Sequence, residues 1–107
     1  MPLDRAKTVQ NAEKFMRAGK LPEAITEYKK LADDNPRDMN VFNKLGDLCV
    51  RAGKNQDAIR YFLRIAEFYA SDGFFLKAIA MYKKVSKLDP ANMDCLQKLA
   101  SLYLSRG

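Results

Sequence analysis

Residues 23–36 read EAITEYKKLADDNP, and residues 77–90 read KAIAMYKKVSKLDP. The match continues at the same offset of 54: residues 37–53, RDMNVFNKLGDLCVRAG, pair with residues 91–107, ANMDCLQKLASLYLSRG. A shorter period lies inside the longer one. Gly19, Ala24, Ile25 and Tyr28 recur 34 residues later as Gly53, Ala58, Ile59 and Phe62, and 20 residues further on as Gly73, Ala78, Ile79 and Tyr82. A 34-residue period is the mark of a helix–turn–helix array, in which each unit buries its apolar face on its neighbours.

Between the repeated marks the apolar spacing is three to four residues, the helical period. Ile25, Tyr28, Leu31 and Ala32 share one face, and so do Leu45, Leu48, Cys49 and Ala52. Gly19, Gly53, Gly73 and Gly107 follow such stretches, as glycines closing helices do. Pro22, Pro36 and Pro90 stand where helices begin, and Asp4, Asn35, Asn55 and Asp89 are suitable N-caps. The chain therefore reads as six helices, over 4–18, 21–34, 37–52, 55–71, 74–88 and 91–106, with no strand. The short connections make sequential neighbours antiparallel. Small residues at Ala12, Gly46, Ala66 and Ala100, and at Ala24, Ala58 and Ala78, allow close helix approach. Phe15, Tyr28, Phe62, Tyr69, Tyr82 and Tyr103 fill the space between, and the Phe74–Phe75 pair is assigned to the core.

Taken together, these segments resemble tetratricopeptide repeats (TPRs) over essentially the whole chain. Phe42, Leu45, Gly46 and Cys49 fit the first helix of a repeat, Ala58, Phe62 and Ile65 the second, and Leu88-Asp89-Pro90 the loop. The resemblance is to a module of a bacterial multi-repeat protein, and it implies an all-α antiparallel helix–turn–helix solenoid. Thr8 and Asn11 stand where the family has large apolar residues, as in an edge helix with one face in water. The family register breaks at Asn55–Asp72. This stretch fits the second helix of one repeat through Ala58, Phe62 and Ile65, and the first helix of the next through Phe62, Ile65, Ala66, Tyr69 and Gly73. One helix is thus shared, giving about three repeats in a single domain, 1–107. Sharing changes the parity of the stack, so helix five joins the row of helices one and three.

The resemblance implies a non-catalytic scaffold or adaptor that binds a peptide segment or a helix of another protein on its concave face. On the third helix, Asn40, Asn43, Lys44, Asp47, Val50 and Arg51 recur at helical spacing opposite the apolar face. The two asparagines suit a peptide main chain, and Lys44 and Arg51 favour an acidic segment. Arg60 and Arg64 match the last pair of the family's carboxylate clamp. The earlier clamp positions hold Val9, Glu13 and Lys44, so a chaperone-tail receptor is not expected. Met81, rimmed by Lys77, Lys84 and Lys87, adds an adaptable apolar contact if helix five lines the groove. The last helix carries more apolar surface than one neighbour covers. Leu96, Leu99 and Tyr103 are accordingly candidates for self-association, and the chain reads as part of a longer array. An oligomerisation module without a separate ligand is one alternative reading. A basic RNA-binding repeat is a weaker one, because the 20-residue step breaks any one-base-per-repeat series.

Composition agrees with this reading. The 107 residues carry 19 Lys and Arg against 13 Asp and Glu, a net charge of +6 spread along the chain and not gathered in runs. There is no histidine for acid–base work, no glycine-rich phosphate loop and no Cys-X-X-Cys pair, so neither catalysis, a cofactor nor a metal is expected. Cys49 and Cys95 read as reduced packing residues. With no signal-peptide pattern and no apolar run of membrane-spanning length, a cytoplasmic location is the expectation.

Overall fold

In the computed structural model, which describes residues 2–106, six α-helices follow one another: α1 (Arg5–Arg17), α2 (Leu21–Asp34), α3 (Met39–Arg51), α4 (Asn55–Ser71), α5 (Phe75–Leu88) and α6 (Met93–Arg106). No strand occurs among the described residues. Gly107, expected to close the last helix, lies outside them. The stretch that reads in two registers is one unbroken helix of 17 residues, α4. The architecture is an all-α helical repeat, as the spacing implies.

The chain divides into two compact units, Met1–Ala58 and Ile59–Gly107. The division falls inside α4, and it falls where the 54-residue offset places it. Residue 59 corresponds to residue 5, the first of α1. α5 then matches α2 residue for residue, and the start of α6 matches the start of α3. The duplication therefore runs through α4 as well: Ala66 and Glu67 repeat Ala12 and Glu13, and Tyr69 stands for Phe15.

Two kinds of turn build both units. The first follows α1, α3 and α4. Gly19, Gly53 and Gly73 have φ of 74°, 76° and 82°. At each, the N–H of the residue after the glycine reaches back five residues to a helix carbonyl: Lys20 to Phe15 at 2.9 Å, Lys54 to Cys49 at 2.7 Å and Phe74 to Tyr69 at 2.8 Å. This is the Schellman closure, which needs a left-handed residue. A Cβ would meet nothing within 4 Å at any of the three, so glycine is required by the backbone angle and not by lack of space.

The second turn corrects the expected N-caps. Asn35 and Asp89 are the C-caps of α2 and α5, not the N-caps of α3 and α6. Each precedes a proline, which excludes the α conformation for the residue before it; Asn35 sits at φ −138°, ψ 90° and Asp89 at φ −144°, ψ 84°. The chain then turns, with Asp38 N–H on the Asn35 carbonyl at 3.1 Å and Asn92 N–H on the Asp89 carbonyl at 3.1 Å. Asp38 caps α3 by accepting from the Val41 N–H, and the Asn92 side chain accepts from the Cys95 N–H at 3.0 Å. Asp4 caps α1 as expected, while Asn55 is the first residue inside α4.

In the first unit α2 packs against both α1 and α3. Ala12, Ala24, Leu31 and Leu45 are wholly buried and Tyr28 nearly so. Thr8, expected on a water-facing side, is buried as well. Its hydroxyl donates to the Asp4 carbonyl at 2.8 Å, so burial leaves no polar atom unmet. Arg5 fastens the start of α1 to the far end of α2. Its Nη1 lies 2.7 Å from Asp34 Oδ2 and donates to the Leu31 carbonyl at 3.3 Å, while Nη2 lies 3.2 Å from Asp38 Oδ2.

In the second unit α5 packs against α6. Its core holds Phe62, Ile65, Ala66, Ala78, Val85 and Cys95, all 0–1% exposed. Cys49 and Cys95 are free and buried. The Cys95 thiol donates to the Tyr82 carbonyl at 3.0 Å. Burial pushes this thiol up and the Asp89 charge adds to the effect, against a smaller opposing hydrogen bond from the Ser86 backbone. Cys95 is thus a packing residue and not a nucleophile.

Three packing assignments fail: the Phe74–Phe75 pair, Ala100, and Tyr103, which does not fill the space between helices but is 47% exposed. Phe74 and Phe75 are 52% and 39% exposed. They occupy the N-cap and first position of α5, where the helix has not yet turned a full face onto its neighbours. Phe74 instead meets the Tyr69 ring edge-on, with centroids 6.3 Å apart, and Lys77 Nζ stands 5.4 Å from both rings. Ala100 is exposed, unlike its counterpart Gly46, which is buried.

Candidate functional site

The register of α3 is set by Val41, Phe42, Leu45, Leu48 and Cys49, all buried. That choice leaves Asn40, Lys44, Asp47 and Arg51 exposed along the opposite face, with Val50 beside them and Asn43 half-buried. The first unit thus gathers six of the sequence-derived candidates on one helix face. In the second unit Arg60 and Arg64 are exposed one turn apart on α4, and Met81 is half-buried on α5.

Lys44 does more than face solvent. Its ammonium lies 5.7 Å from the centroid of the Tyr28 ring, on α2. Tyr28 is 1% exposed, and its hydroxyl is buried without a hydrogen-bond partner. Burial raises the Tyr28 pKa above its ordinary 10.0, and the charge of Glu13, on α1, raises it further. In the first unit the Lys44 ammonium of α3 thus faces the Tyr28 ring of α2, while Glu13 pairs with Arg17 on its own helix, at 4.0 Å.

The second unit carries the same residue types 54 residues later. Glu67 of α4, Tyr82 of α5 and Lys98 of α6 line one cavity of about 340 Å³, together with Ser71, Phe75 and Ser101. Tyr82 is 2% exposed; burial raises its pKa, and Glu67 and then Cys95 add to the shift. The charged residues common to the two copies are Glu13 and Glu67, Lys29 and Lys83, Lys30 and Lys84, and Lys44 and Lys98. Two of these four pairs flank the tyrosine. This identity between copies is the signal in the sequence that could have singled out Glu13, Tyr28, Glu67, Tyr82 and Lys98.

The two copies differ in what they leave uncovered. In α3, Met39, Phe42, Gly46 and Cys49 are buried. Their counterparts in α6, Met93, Leu96, Ala100 and Tyr103, are all exposed, and Leu104 is 80% exposed beside them. Leu99 is half-buried, and Lys83 Nζ stands 5.7 Å from the Tyr103 ring centroid. Among the described residues no group of His, Cys, Asp and Glu could hold a metal ion, and no helix is long and apolar enough to cross a membrane.

A family model described as Tetratricopeptide repeat matches residues 9–73, more than half of the chain. No curated protein matches it significantly. Among solved structures, the chain is similar to the first TPR of Spaghetti (RPAP3) bound to the HSP90 peptide SRMEEVD. That likeness has 19% sequence identity and a TM-score of 0.48, and covers 98% of this chain and 97% of the other.

Proposed function

The chain belongs to the tetratricopeptide repeat family, and from that premise we propose that it is a non-catalytic protein-interaction module whose 107 residues act as one domain. It takes a peptide segment or helix of a partner on the exposed face of α3, through Asn40, Asn43, Lys44, Asp47, Val50 and Arg51. Arg60, Arg64 and Met81 add contacts from the second unit. The observation that carries this reading is the α3 face itself: amide, cationic and acidic side chains, with one aliphatic residue, on a helix whose other side is locked in the core. Such a face can pair with main-chain groups and select charge without a deep pocket. The exposed cations and the net charge of +6 favour an acidic partner.

Panning a random peptide display library against the chain tests this. Selected peptides should be enriched in Asp and Glu. Reversing both Lys44→Glu and Arg51→Glu should weaken them on the order of tenfold or more, the scale of about 1.4 kcal/mol. The melting temperature should fall by at most several degrees, since the two exposed substitutions, with the Lys44–Tyr28 contact included, cost within about 1 kcal/mol. Unchanged affinity in the double variant removes α3 as the binding face.

The uncovered stripe of α6 favours a second reading, self-association through Leu96, Leu99 and Tyr103. Exposed apolar patches of this kind mark contact surfaces. Sedimentation equilibrium should then show a concentration-dependent dimer that Leu96→Ser with Tyr103→Ser returns to monomer. A chain that stays monomeric at high concentration refutes this reading.

A further inference from the structure

We propose that the cavity lined by α4, α5 and α6 binds a small zwitterion, a free amino acid or short peptide with an apolar side chain. The ligand's ammonium meets α4 and its carboxylate meets α6. The site lies wholly in the second unit and does not depend on the α3 face.

Helical register builds the two walls. Glu67 and Ser71 stand one turn apart on α4, at i and i+4, and Lys98 and Ser101 one turn apart on α6, at i and i+3. All four are exposed, and all four line the cavity of about 340 Å³. One wall thus offers a carboxylate with a hydroxyl, the other an ammonium with a hydroxyl. Among the described residues neither Glu67 nor Lys98 has an ion-pair partner, so two opposite charges border one space without closing on each other. The remaining lining is largely apolar: Tyr82 and Leu102, both buried, and the Phe75 ring, which is partly open to solvent. The volume falls within the range of small-ligand sites, about 300–1,000 Å³.

The first unit shows what is particular about this pattern. Glu13 and Lys44 are present there, but Arg17 stands for Ser71 and Asp47 for Ser101. Arg17 Nη1 lies 4.0 Å from Glu13 Oε2, and Asp47 is one turn from Lys44 on α3. Each helix of the first unit therefore carries its own countercharge. The serines of the second unit remove both countercharges, which leaves one wall acidic and the other basic.

This split selects the ligand. A carboxylate alone gains Lys98 and is repelled by Glu67; an ammonium alone gains Glu67 and is repelled by Lys98. A neutral amide offends neither wall but sets only a dipole against each full charge. A zwitterion sets an opposite charge against both. Its carboxylate accepts from the Lys98 ammonium and the Ser101 hydroxyl, and its ammonium donates to the Glu67 carboxylate and the Ser71 hydroxyl oxygen. Its side chain covers the apolar lining, where Phe75 and Tyr82 favour an aromatic ring.

The full chain, ¹⁵N-labelled, is titrated at about pH 6, where both free termini of a ligand are charged. The probes are phenylalanine, alanylphenylalanine, N-acetylphenylalanine, phenylalaninamide and N-acetylphenylalaninamide. We expect the Ser71 and Ser101 amide resonances to shift saturably with the first two, at dissociation constants on the order of millimolar for ligands of so few atoms. Tighter phenylalanine indicates a free amino acid, and tighter alanylphenylalanine a short peptide. Blocking either terminus should weaken binding about threefold or more, the scale of one partly exposed charge contact. Glu67→Gln should abolish the preference for a free ammonium, and Lys98→Gln the preference for a free carboxylate. Ser71→Arg with Ser101→Asp, which restores the residues of the first unit at exposed positions, should remove the saturable shift. The proposal is overturned if the doubly blocked probe binds as well as phenylalanine, if neither zwitterion gives a saturable shift, or if the two glutamine variants keep the parent's end-group preferences.

Discussion

Phe62→Ala should lower the melting temperature more than any exposed substitution in the chain, by 12 °C or more. The ring is 0% exposed, and Lys84 Nζ lies 4.4 Å from its centroid. Phe62 also stands where the two repeat registers overlap, so both kinds of packing pattern call for it. Removing a buried phenylalanine costs about 3–5 kcal/mol, the transfer of the ring plus the cavity left behind. At about 4–8 °C per kcal/mol for a domain of this size, that becomes at least the stated fall. Leu104→Ala serves as the control: its side chain is 80% exposed, and its removal should change the melting temperature by no more than a few degrees. Thermal unfolding followed by circular dichroism decides it. A fall of less than 5 °C in the Phe62 variant would mean that the ring is not packed as described.

Arg60→Pro should destabilise the chain by about 3 kcal/mol or more relative to Arg60→Ala. α4 runs unbroken from Asn55 to Ser71, and Arg60 lies past its first turn. A proline there removes one N–H from the helix and drives its ring into the preceding turn. The alanine control accounts for whatever the arginine side chain contributes. The position has a second use, because it is the second residue after the boundary between the two compact units, which falls between Ala58 and Ile59. If residues 1–107 act as a single domain, the parent should melt in one cooperative transition and the proline variant should melt earlier or in two steps. A proline variant as stable as its alanine control would show that α4 is not one helix in solution.

The helices were legible because their punctuation is chemical. A left-handed turn needs glycine, so Gly19, Gly53 and Gly73 mark the ends of α1, α3 and α4 directly. The starts of α3 and α6 were less legible. Asn35 and Asp89 have the right side chains for N-caps, but Pro36 and Pro90 force them into extended backbone and postpone each helix to the next cap, Asp38 or Asn92. Periodicity also failed at helix ends: apolar character placed Phe74 and Phe75 in the core, whereas a residue at a first turn is not bound to the face its spacing assigns. The polar cluster was the hardest feature to read. Tyr28 and Tyr82 are packing residues by spacing, and their rings are indeed buried. A helical period locates a Cβ, not the atom at the far end of a long side chain. That Glu67, Tyr82 and Lys98 line one cavity could have been suspected only from the identity of those residues across the 54-residue offset.

The buried phenols also fix how this surface responds to its surroundings. Raised above the ordinary 10.0, Tyr28 and Tyr82 keep their protons throughout the physiological range. They favour the folded chain up to about pH 10, and that stabilisation is lost only as the pH climbs through their folded-state values. The sequence contains no histidine, the one side chain whose ordinary pKa changes its charge between pH 5 and 8. The chain therefore has no histidine whose protonation could change its charge between a neutral and an acidified compartment. Its sensitivity is to ionic strength: added salt screens the lysines and arginines over a Debye length of about 8–10 Å.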